Sequence, residues 1–227
     1  MDQTTYSSWG TGQSLRSLCK IGGAAMMLAG ALYIWAFVAE YILPPPGFTT
    51  TSLLQYIATY RSFYVVSYVL FTVANSLSII GAMAIYMTTR VLDRSFAFLG
   101  AGTLVVGFVS TLISSTTPAL IRLSDAYAAN PGLANQQALA IAAEAVGSTN
   151  NPLIASTFIG VGVVFVSLAM RKGSFGARLS YLGLFVGALN ILRELPPLVD
   201  YSLVTLFFVA VSSVWIFEVG RKIYRLA

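Results

Sequence analysis

Residues 62–88 read SFYVVSYVLFTVANSLSIIGAMAIYMT, with Arg61 just before them and Arg90 shortly after. No charged side chain interrupts the run. At 1.5 Å per residue, about 20 apolar residues in a helix cross a hydrocarbon core of about 30 Å. The run therefore reads as a membrane-crossing helix. Five others resemble it: Ile21–Leu43, Ser95–Ser115, Pro152–Met170, a shorter one from about Leu179 to Leu195, and Leu198–Gly220. The first has 23 residues and is followed by Pro44-Pro45-Pro46, with no small-x-small cleavage site. It is too long for a signal-peptide core and reads as a retained helix.

Composition agrees. The chain has 227 residues, 57% hydrophobic and 9% charged, whereas soluble domains carry about 25% charged residues. A soluble fold of this length could not bury so much apolar surface.

The positions of the thirteen Lys and Arg residues set an orientation. Ten flank alternate ends of the runs: Arg16, Lys20, Arg90, Arg94, Arg171, Lys172, Arg178, Arg221, Lys222 and Arg225. Arg61, Arg122 and Arg193 flank the opposite ends. The positive-inside rule puts the larger set, and with it both termini, in the cytoplasm. Acidic residues lean the other way, with Glu40, Asp125, Glu144, Glu194 and Asp200 outside against Asp2, Asp93 and Glu218 inside. The net charge of +5 is thus topogenic. It forms no basic stripe, and nucleic acid is not an expected partner.

The expected fold is all-α: a polytopic integral membrane protein, a single bundle of six helices over residues 16–227, multi-pass in the cell membrane. Residues 1–15, polar and rich in Ser, Thr and Gly, read as a loose cytoplasmic tail. The one long loop, about 116–151, is external. It reads as two short helices around the turn Asn130-Pro131-Gly132. The second, 134–146, carries Leu139, Ala142, Ala143 and Val146 on one face, and Gly147 is placed to cap it.

Residue types exclude much chemistry. There is no histidine and one cysteine, Cys19. An intrachain disulfide, a Cys/His zinc site, an iron–sulfur cluster and a His-ligated haem are therefore not expected. Lys20, Lys172 and Lys222 all lie at run ends, so no lysine is deep enough for a retinal-type Schiff base. Cys19 reads either as a lipidation site or as a buried inert thiol. No Gly-rich phosphate loop, nucleophile elbow or His-Glu-x-x-His helix occurs. No cofactor or metal is expected.

The fifth run carries a patterned stripe. Ser180, Gly183, Gly187, Asn190 and Glu194 recur at three- and four-residue steps and share one helical face. Ser180, Gly183 and Gly187 fit small-residue helix packing. Counted up from Arg178, Arg193 and Glu194 lie about 22–24 Å along the helix, within a core of about 30 Å. Ionisable groups at such depth face protein or a wet cavity. Glu40, Asn75, Asn190, Arg193, Glu194 and Asp200 therefore form a candidate polar cluster toward the outer side. Tyr33, Tyr41, Tyr56, Tyr60, Tyr64 and Tyr68 gather at the same end and read as an interfacial belt. Glu218 with Arg221 and Lys222 reads as a structural helix-surface pair.

A weak internal echo pairs Gly81 and Arg90 with Gly162 and Arg171, and Phe98-Leu99-Gly100 with Tyr181-Leu182-Gly183. A duplicated hairpin would give it, although basic inner loops give half the match unaided. The turn Arg171-Lys172-Gly173-Ser174-Phe175 followed by Leu182-Gly183, with its counterpart from Arg90 to Leu99, resembles a prokaryotic six-helix membrane family. That family is filed as domain of unknown function forty-three eighty-six. The resemblance implies six helices in a prokaryotic cell membrane and assigns no site residue. The histidines near that family's fourth helix have no counterpart here.

Three functions fit. The first is a non-catalytic accessory or scaffolding subunit of a larger membrane complex, partnered by other subunits or by itself within the bilayer. The second is a transporter or binding protein for a small molecule, ion or lipid, acting through the polar cluster. A membrane enzyme using carboxylates, with no motif around them, is the third.

Overall fold

The structure, a computed structural model, describes residues 13–42, 50–130, 132–148, 152–192 and 202–227. Among them are nine helices and no strand. They are α1 (Gln13–Ile42), α2 (Thr50–Thr59), α3 (Arg61–Thr89), α4 (Arg94–Ile113), α5 (Thr117–Ala129), α6 (Leu133–Ser148), α7 (Pro152–Met170), α8 (Ala177–Leu192) and α9 (Ser202–Leu226). In lipid, backbone amides must be satisfied within the chain, and a helix does this for every charge-free run. Four stretches, in α1, in α3, in α4–α5 and in α6–α7, are long and apolar enough to cross a membrane. α8 is shorter but equally apolar.

α1, α3, α4, α7, α8 and α9 form a closed ring. Each packs against the next in that order, and α9 returns to pack along α1. Glycines allow the closest approaches. A Cβ on Gly23 of α1 would lie 2.8 Å from the Gly220 carbonyl oxygen of α9, and one on Gly220 would lie 2.7 Å from the Gly23 oxygen. Gly160 of α7 and Gly187 of α8 face each other in the same reciprocal way, at 2.7 Å in both directions. Small residues let helices meet where lipid gives no hydrophobic drive to associate. Outward, the ring presents Leu28, Trp35, Val66, Met83, Phe98, Val106, Phe185 and Val214, all exposed. A soluble protein rarely shows so continuous an apolar exterior.

At one end, the basic end, two turns join neighbouring helices. Asp93 caps α4 by accepting from the Phe96 N–H at 3.0 Å, and its other oxygen takes Lys172 Nζ at 2.6 Å. These two donors hold the Asp93 carboxyl below its ordinary range, Lys172 contributing most. The turn into α8 needs Gly176, whose φ of 90° is a left-handed conformation that favours glycine.

At the other end α2, α5 and α6 form a cap. Leu54, Ile57, Leu120 and Ala143 are its buried centre, with Leu139 and Val146 against them. Ser124 Oγ donates to the Leu54 carbonyl at 2.8 Å. Arg61, at the start of α3, grips Asp125 of α5 with two bonds of 2.6 and 3.0 Å.

Three local expectations need correction. The helix begins at Gln13, inside the expected tail of residues 1–15. Helix α2 occupies a stretch between the first two runs where no helix was expected. Gly147 does not cap α6, which runs through it to Ser148; nothing lies within 4 Å of its missing Cβ.

Candidate functional site

The ring encloses a cavity of about 380 Å³. All six ring helices line it, and it reaches the cap end at Ser114–Thr117, where α4 passes into α5. Its floor toward the basic end is apolar, built from Met26, Ile85, Leu104, Val163 and Trp215. Trp215 is fully buried, and its indole N–H donates to the Leu179 carbonyl at 3.2 Å.

Higher up the wall turns polar. Asn75 lies about 22 Å above Arg90 along α3, and Asn190 about 18 Å above Arg178 along α8. The two helices stand opposite each other in the ring. Both amides are buried. Each donates one N–H to its own helix, Asn75 to Phe71 O at 2.8 Å and Asn190 to Val186 O at 3.2 Å. Ser212 and Ser213 of α9 line the same space, and their hydroxyls are buried without a partner. Ser78 also lines it, with its hydroxyl donating back to Ala74 O at 2.8 Å. Tyr33 of α1 joins them, its ring edge-on to Phe71 with centroids 5.8 Å apart.

No charged residue lines the cavity among the described residues. No group of three or more His, Cys, Asp or Glu that could hold a metal occurs among them either. The wall thus offers neutral donors and acceptors over an apolar floor. Among the described residues it presents no nucleophile–base pair and no paired carboxylates.

Of the candidate polar cluster, the structure brings Asn75 and Asn190 to one cavity. Glu40 belongs to α1, one turn past the lining residue Ala36. Arg193, Glu194 and Asp200 lie outside the described residues. Ser180, Gly183 and Gly187 are buried in helix contacts and do not line the cavity. A Cβ on Gly183 would lie 2.5 Å from the Trp215 indole nitrogen, so this glycine makes room for the floor. Tyr33 leaves the expected interfacial belt for the cavity wall, while Tyr56 and Tyr64 pack on the cap.

Sequence reasoning missed Ser78, Ser212, Ser213 and Tyr33. The available signal was polar side chains at helical spacing within apolar runs, such as Asn75 and Ser78 three apart. Cys19 is buried in the core near the basic end. No family, curated protein or solved structure matches this chain.

Proposed function

We propose that this chain is a six-span protein of a prokaryotic cell membrane, with both termini cytoplasmic, that binds a neutral amphipathic small molecule or lipid in its outward cavity. The supporting observation is the cavity wall. Among the described residues Ser212 and Ser213 carry buried hydroxyls with no partner, and the buried amides of Asn75 and Asn190 line the same space. Buried polar groups are normally satisfied, and leaving one unmade costs about 1–3 kcal/mol. A ligand with hydroxyl, ether or carbonyl groups would satisfy them, while its apolar part rests on Trp215 and Ile85. The volume suits a small ligand, since such sites span roughly 300–1,000 Å³. The lining, uncharged among the described residues, favours a neutral molecule over an ion.

The six spans and their orientation rest on the ten basic residues of the inner ends. Membership of the family filed as domain of unknown function forty-three eighty-six is part of the proposal. It rests on the two inner turns alone.

The test is native isolation in mild detergent, followed by mass spectrometry of what co-purifies. A stoichiometric small molecule or lipid is expected, and its retention falls in Asn190→Leu and Ser213→Val. If the cavity variants retain everything the parent retains, the cavity reading is wrong. A stoichiometric protein partner together with an empty cavity would put the accessory-subunit reading in its place.

A further inference from the structure

The basic end holds a second recess, between the start of α8 and the last turns of α9. It encloses about 510 Å³. Four cations line it: Arg178, Arg221, Lys222 and Arg225. The one carboxylate among its described lining residues, Glu218, is taken by Arg221, whose Nε donates to it at 3.0 Å. Among the described residues Arg178, Lys222 and Arg225 have no carboxylate partner.

Three other cations of this end are accommodated differently. Lys172 pairs with Asp93. Arg90 lies over the Tyr86 ring and Arg171 over the Tyr181 ring. Orientation alone requires positive charge near the helix ends; it does not require four cations from two helices around one recess. Arg221, Lys222 and Arg225 share one side of α9 by their three- and four-residue spacing, and Arg178 meets them from α8. Like charges brought together repel unless an anion sits among them.

The recess also has an apolar wall. Phe175 is buried at its back, and Leu179 and Leu182 continue along α8 toward the bundle's middle. Cations at the membrane edge above a strip of apolar side chains match a phosphate joined to a hydrocarbon chain. Basic pockets between helices on the cytoplasmic side are suited to anionic head groups.

We propose that this recess binds the phosphodiester head group of an anionic phospholipid from the inner leaflet, with an acyl chain lying along Leu179 and Leu182. The proposal rests on the membrane orientation and is independent of any ligand in the central cavity.

The test uses the full chain, delipidated and placed in nanodiscs of phosphatidylcholine containing a small fraction of phosphatidylglycerol. Native mass spectrometry after detergent release counts the retained lipid. Phosphatidylglycerol is expected to be retained over phosphatidylcholine by at least about tenfold. The combined variant Arg178→Gln, Lys222→Gln, Arg225→Gln is expected to abolish that preference, since each cation near the surface is worth about fivefold. It keeps seven inner cations, so its orientation is retained. Arg16→Gln with Arg94→Gln, on the same side but outside the recess, is expected to leave it unchanged.

Equal retention of the two lipids by the unaltered protein overturns the proposal without recourse to variants. So does undiminished preference in the triple variant. Millimolar inorganic phosphate gives the last arm: binding of phosphate at the recess with no preference between the lipids assigns the site to a soluble anion instead. Loss of the recess lipid with the cavity ligand retained, or the reverse, separates this proposal from the cavity reading.

Discussion

Gly187→Ala tests the ring packing most directly. A Cβ at Gly187 would lie 2.7 Å from the Gly160 carbonyl oxygen, against about 3.4 Å for ordinary contact. That oxygen belongs to helix backbone and cannot swing aside as a side chain can. α7 and α8 must then part by about 0.7 Å along their contact, in an interior packed as densely as an organic crystal. Overpacking of this kind costs about 1–3 kcal/mol. The same change gains about 0.8–1.0 kcal/mol of helix propensity, so the net loss is about 0–2 kcal/mol. Gly102 of α4 is the control, since nothing lies within 4 Å of its missing Cβ. Gly102→Ala gains the propensity alone. Subtracting the two isolates the clash, about 1–3 kcal/mol. Reversible unfolding of detergent-solubilised protein by sodium dodecyl sulfate, followed by circular dichroism, measures both. Gly160→Ala meets Gly187 from the other side, also at 2.7 Å. Once one alanine has parted the helices, the second meets less resistance, so the double variant is expected to lose less than the sum of the singles. Equal midpoint shifts for Gly187→Ala and Gly102→Ala would refute this account of the α7–α8 contact.

Two further outcomes concern the ends of the bundle. Arg61 holds the Asp125 carboxyl below its ordinary value of 3.8 by direct hydrogen bonding. A lowered folded-state pKa means the contribution is present at neutral pH and disappears as pH falls below about 3.8 through the folded value. The protection of α2 and α5 against hydrogen exchange, taken relative to the intrinsic rate at each pH, should therefore fall in acid and in high salt, and Asp125→Asn should already show the reduced protection at neutral pH. At the opposite end Cys19 is 4% exposed. A bulky maleimide should label it slowly in the folded protein and fully after unfolding; rapid labelling of folded protein would show that this part of α1 is open.

The ring helices were legible because each is a long apolar run with basic residues at one end. The turn Asn130-Pro131-Gly132 likewise divided α5 from α6. Helix α2 was not legible: it is ten residues long, opens on Thr50-Thr51-Ser52, and has no charge to mark its start. Its order comes from packing Leu54 and Ile57 against residues some seventy positions away. The same limit governs the cavity. Asn75 and Asn190 are conspicuous in apolar runs because an amide is hard to place in lipid. A serine is not conspicuous there, since its hydroxyl can bond to the preceding helical turn whichever way it faces, as Ser76 does outside and Ser78 inside. Only the ring order, with α9 brought back against α1, determines that Ser212 and Ser213 face the same space as Asn75.

The contact between α1 and α9 also bears on biogenesis. A membrane chain emerges one span at a time, yet the ring's last seam joins its first helix to its last. Until α9 is made, Gly23 and Gly30 of α1 have no surface to meet, and the compartment lacks Trp215 from its floor and Ser212 and Ser213 from its wall. The other five ring helices must wait as an open arc, with the polar groups of the wall uncovered. The cavity is therefore closed only when α9 has been made, and a cell that stalls translation before α9 holds an intermediate in which α9 does not cover Asn75 and Asn190.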